Sequence, residues 1–95
     1  MKIPNRLNID GEEWKVNLVE TKHDLGTVNF GTMNLSTLEI NLDKDNRTDQ
    51  TLLHELFHVI DKNNGLDLNE QQILSLSQGI YATIVNNDLD FRRGK

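Results

Sequence analysis

The stretch Thr51-Leu52-Leu53-His54-Glu55-Leu56-Phe57-His58-Val59-Ile60-Asp61 constrains this chain more than any other, because it sets the pattern H-E-x-x-H inside a strongly helical sequence. On a helix, residues four apart sit one turn above each other, so His54 and His58 can present their imidazoles to a single point. Glu55 is turned about 100° from His54, which places it beside a shared metal as a base and not as a ligand. Two neutral imidazoles suit Zn²⁺, and a catalytic zinc takes three protein ligands and keeps one position for water. With three histidines in the chain, chance would produce this pattern in about 0.6 per cent of such sequences. At 100° per residue, Leu52, Leu53, Leu56, Phe57, Val59 and Ile60 form one broad apolar stripe. His54 and His58 fall together just outside that stripe, and Glu55 lies on its other flank. A helix laid on a core by this stripe holds both imidazoles at the edge of a cleft; the plainer alternative is two exposed histidines on a surface helix.

A chain of 95 residues with 36% apolar content supports one domain, residues 1–95, with one modest core. A metal joining two helices would therefore add to folding as well as to chemistry. There is no cysteine, which excludes disulfides and thiolate metal sites and fits a reducing cytosol. The apolar stretches are broken by His, Glu and Asp, so no membrane span is expected. Met1 to Arg6 lacks the apolar run of a signal peptide. A net charge of −5 argues against a sequence-independent grip on nucleic acid. The basic tail Arg92-Arg93-Gly94-Lys95 is read as a solvated end.

Taken in order, the chain begins with strands. Leu7 and Ile9 alternate with Asn8 and Asp10, Asp10-Gly11 signals a hairpin, and Trp14, Val16 and Leu18 make the return strand. Thr21 to Gly26 reads as a loop in which His23 is an exposed histidine. Val28 and Phe30 mark a third strand, Gly31 a bulge or the approach to a turn, and Leu38, Ile40 and Leu42 a fourth. Asp45, Asn46 and Thr48 are each able to cap the helix that follows, which Gly65 ends. Asn69 then caps a second helix with Gln72 in capping-box position, and Ile73, Leu74, Leu76, Ile80, Tyr81, Ile84 and Val85 form its apolar stripe. The expected fold is α+β: a small antiparallel sheet of three to four strands, packed by the H-E-x-x-H helix and a C-terminal helix.

Glu70 projects from the apolar stripe of the second helix, twelve residues after His58 and across one tight turn. It has two readings: a third metal ligand that swings back to the imidazoles, or a first-turn glutamate favoured by the helix dipole. Asp61 is able to orient an imidazole but reads more simply as a solvated surface residue. Tyr81 lies about 16 Å along the axis from Glu70 and reads as core.

Read together, these residues resemble a family of small phage and prophage zinc metallopeptidase-like proteins, similar to minimal gluzincins and more distantly to peptidases that cleave repressors of mobile elements. The resemblance runs through Leu7-x-Ile9-x-Gly11, Trp14-x-Val16, Leu25-Gly26, Leu38-Glu39-Ile40, the H-E-x-x-H helix, Leu68-x-Glu70-x-x-Ile73 and Gly79-Ile80-Tyr81. It implies a zincin-like core, His54, His58 and Glu70 as zinc ligands, Glu55 as general base and a peptide or protein as substrate. A phage-encoded member would work in the cytoplasm of its bacterial host. Zinc-dependent peptide hydrolysis is thus the leading expectation, with an extended substrate lying along the strand that carries Leu38 to Leu42. The alternative is a non-catalytic, zinc-stabilised protein that binds a host or phage protein.

Overall fold

The computed structural model describes residues 3–20, 31–45 and 48–91. The alternating residues near the N-terminus form a hairpin, β1 (Arg6–Ile9) and β2 (Glu12–Val19). Its two turn residues both have positive φ, 52° at Asp10 and 86° at Gly11. That pair of left-handed conformations matches the twist of a two-residue hairpin, and glycine adopts it without a Cβ penalty. The Asn8 Oδ1 accepts the Gly11 N–H at 3.0 Å and closes the turn. A second antiparallel pair follows, β3 (Gly31–Asn34) and β4 (Glu39–Asp43). The expected strand residues Val28 and Phe30, like His23, lie outside the described residues.

The sheet order is β1-β2-β4-β3, and β2 and β4 run parallel. The α+β class is as expected, but the sheet is mixed where an antiparallel one was anticipated. Alternation reports which residues share a face, not which strand lies alongside. The order also corrects one expectation about function. The strand holding Ile40 and Leu42 is paired on both sides, so its backbone cannot accept an added peptide strand. Among the described residues the outer strands are β1 and β3.

One face of the sheet is apolar. Ile9, Trp14, Val16, Ile40 and Leu42 are buried there, each contributing roughly 1.5–3 kcal/mol of hydrophobic transfer. Residues one position along point the other way, where Asn17 Nδ2 donates to Glu39 Oε2 at 2.9 Å and to Asn41 Oδ1 at 3.0 Å. Helix α1 (Thr48–Asn64) lies on the apolar face through Leu52 and Val59. Helix α2 (Glu70–Asn87) packs on the far side of α1. The layers are therefore sheet, α1, α2, with the motif helix in the middle.

Both helix ends at the connection follow the sequence signals. Gly65 takes φ 60° just after α1, and Leu66 N–H reaches back to the Asp61 carbonyl at 3.2 Å, as in a Schellman stop. Asn69 caps α2: its Oδ1 accepts Gln72 N–H at 2.8 Å while Gln72 Oε1 accepts Asn69 N–H at 2.9 Å. The apolar stripe of α2 departs from expectation. Ile73 is buried and Tyr81 and Ile84 half-buried, but Leu74, Leu76, Ile80 and Val85 are exposed. A helix packed chiefly on one other helix covers only the centre of a broad stripe and leaves both flanks to solvent. Among the described residues no helix is long and apolar enough to cross a membrane.

This layering separates residues that look alike in sequence. Leu42→Ala removes a side chain with no exposure and should cost about 2–5 kcal/mol in urea denaturation. Leu76→Ala, at 45% exposure, should stay within about 0.5 kcal/mol of wild type.

Candidate metal centre

The middle position of α1 gives it two working faces. Leu52, Glu55 and Val59 turn toward the sheet and are buried, while His54 and His58 turn toward α2 and are half-buried. The two imidazoles stack one turn apart with ring centroids 5.0 Å apart and planes at 61°. Glu70, the first residue of α2, swings back over them. Its Oε1 stands 2.7 Å from His54 Nε2 and its Oε2 3.0 Å from His58 Nε2. Glu70 stands in the first turn of α2, as one of its readings had it, and its carboxylate also reaches both histidines.

These three side chains form a group able to hold a metal ion, with one ligand atom from each lying within 4.8 Å of the others. Ligand atoms about 2 Å from a common ion stand about 3.3 Å apart in a tetrahedron. The two nitrogen–oxygen approaches, 2.7 and 3.0 Å to the two Glu70 oxygens, are shorter than that spacing, so the side chains would open around an ion. Two nitrogens and one carboxylate oxygen make a donor set of borderline softness with room for a further ligand. The Glu70 side chain is 66% exposed, so the group faces solvent and not the core.

Glu55 differs from its neighbours. It is 7% exposed, on the sheet side of α1, deeper than a residue on the flank of the apolar stripe should be. Burial pushes its carboxyl above the usual carboxylate range; His58 and His54 oppose that rise, and Glu70 adds to it. A carboxylate that holds its proton more tightly than usual, next to a metal-binding group, has the character of a general base.

Asp61 corrects its sequence reading in a different way. It is 5% exposed, not solvated, and its carboxylate accepts the Leu68 N–H at 3.1 Å. Its backbone carbonyl takes Leu66 N–H in the helix stop. One residue thus pins both ends of the connection that delivers Glu70 to the imidazoles. The signal was present in the sequence: an acidic side chain in the last turn of a helix opposes the dipole and needs another reason to be there. Tyr81 is half-buried and its hydroxyl donates to Asp49 Oδ2 at 2.9 Å, tying α2 to the first turn of α1. That bond also raises the tyrosine's pKa.

Compared with protein-family models, with curated proteins and with solved structures, the chain finds no match.

Two measurements test this account. Asp61→Ala should weaken metal binding about tenfold to a hundredfold, the usual penalty for losing a supporting contact, while Asp61→Asn, which keeps an acceptor oxygen, should retain most of it; isothermal titration with Zn²⁺ reads both. In metal-free protein the raised Glu55 pKa means the fold holds a proton that the unfolded chain releases near pH 4.3. Stability should accordingly fall, relative to Glu55→Gln, as pH rises from that value through the raised pKa. Chelator-treated wild type and variant, melted at a series of pH values from 4.5 to 7, should diverge in that direction.

Proposed function

We propose that this chain is a zinc-dependent peptidase, akin to minimal gluzincins, with His54, His58 and Glu70 as the metal ligands. The observation that carries the reading is the meeting of both imidazoles with the Glu70 carboxylate, beside a buried glutamate of raised pKa. A structural metal site has no use for that glutamate. Zinc bound here would polarise a scissile carbonyl and lower the pKa of a water in its remaining position.

The chain's own residues supply the rest. Glu55 takes the proton from the attacking water and passes it to the leaving amine. Its burial favours the protonated form that the second step requires. Asp61 holds the helix connection, and with it Glu70, so that the ligand set needs little rearrangement. Tyr81, committed to Asp49, takes no part. An extended substrate would lie along the margin of the sheet formed by β3, because β4 is occupied on both sides.

A second reading, a zinc-stabilised binding protein without catalysis, is favoured by the exposed Leu76, Ile80 and Val85 of α2. Such flanks suit burial against another protein.

The first measurement is elemental analysis of protein purified without chelator. Wild type should carry about one zinc per chain and Glu70→Ala should lose most of it. Glu55→Gln should keep its zinc but lose at least a hundredfold in hydrolysis of a fluorogenic peptide library. Full zinc with equal turnover in that variant would refute the base assignment, and zinc without turnover in wild type would favour the binding protein.

A further inference from the structure

Gly31, the first residue of β3, sits where the sheet margin meets the motif helix. A Cβ placed on it would lie 2.5 Å from Thr51 Cγ2, 3.3 Å from the Asn41 carbonyl oxygen and 3.4 Å from Glu55 Cγ. The first distance is closer than carbon atoms approach without something moving. Thr51 and Glu55 are one turn apart on α1, so they share the face that meets β3. Gly31 has φ outside the left-handed region, since Gly11 and Gly65 are the described glycines with positive φ. The backbone conformation does not require a glycine here; the contact does.

We infer that Gly31 is a positioning residue for Glu55. The missing side chain lets β3 lie directly against α1, and the strand backbone then forms the wall against which the Glu55 stem packs. That wall helps give Glu55 its burial, and it limits the directions in which the carboxylate can turn beside the metal ligands. Any side chain at position 31 would push Thr51 aside, or lift β3 from α1. In the second case the stem of Glu55 would gain freedom. Thr51 is the counterpart: its Cγ2 occupies the volume that Gly31 leaves. The pair is complementary, glycine on the strand and a branched residue on the helix.

This inference rests on the peptidase reading, and it is testable without a substrate. Acetohydroxamate binds an open zinc position and gives up its proton on doing so, which a carboxylate poised beside the metal accepts. Gly31→Ala should retain about one zinc per chain, yet bind acetohydroxamate about tenfold more weakly than wild type, in the same direction as Glu55→Gln. Adding Thr51→Ser, which removes the one atom nearest the new methyl, should restore the affinity to that of Thr51→Ser alone. Gly31→Ala with wild-type affinity would overturn the inference. So would a double variant that regains its melting temperature but not its hydroxamate affinity, since the contact would then serve stability alone. Zinc-loaded wild type that binds no hydroxamate would instead refute the peptidase reading, and this inference with it.

Discussion

The site depends on α1 being covered on two sides. A helix at the edge of a small domain would show its histidines to water and nothing else. Here the sheet covers one face and α2 the other, so a single turn of helix divides its duties. Glu55 goes into the layer between α1 and the sheet, where low polarity raises its pKa. His54 and His58 go into the layer between the helices, where Glu70 meets them. The different environments of adjacent residues follow from the 100° step between them, which still leaves Glu55 near both histidines.

Such an arrangement asks much of a chain with one modest core. Bringing a carboxylate and two imidazoles together costs side-chain freedom, and Glu55 is held in a place that disfavours its charge. The compensation is local and specific. Asp61 ties the helix connection with two hydrogen bonds, one accepted by its side chain and one by its carbonyl. The capping box starts α2 at the residue before Glu70, and the Tyr81–Asp49 bond closes the far end of the helix pair. A metal ion in the group would join the same two helices, adding binding energy to fold stability. The exposed flanks of α2 are consistent with this division, since that helix is fastened at points and not by wide burial.

Much of this was legible in the sequence, for identifiable reasons. The Asp10-Gly11 hairpin, the glycine stop at Gly65 and the Asn69–Gln72 capping box are local devices, each needing only the backbone of its neighbours. The H-E-x-x-H spacing placed two imidazoles on one face for the same reason. Glu70 could be nominated because a carboxylate projecting from an apolar stripe wants a partner, but its alternative as a dipole-favoured residue was local too, and only the fold shows that its carboxylate, in the first turn of α2, also meets both imidazoles. Asp61 looked like surface and is buried, because the connection folds back over it. The outer residues of α2 looked like core and are exposed, because periodicity gives the width of an apolar stripe but not the width of its partner.

Sequence by itself determined the first hairpin, the two helices with the stop and cap between them, and the chemical type of the group on α1, since these follow from interactions within a few residues. It did not place β3, which runs through Gly31–Asn34 where a bulge or turn was read. The tertiary structure alone decided the order β1-β2-β4-β3 with its one parallel pair, the approach of β3 to α1 at Gly31, and the burial of Glu55. Those are contacts between segments far apart in the chain, and a residue's own neighbours carry no record of what will lie across from it. That is why position 31, read from its surroundings as a bulge or the approach to a turn, acquires its meaning only beside Thr51 and Glu55.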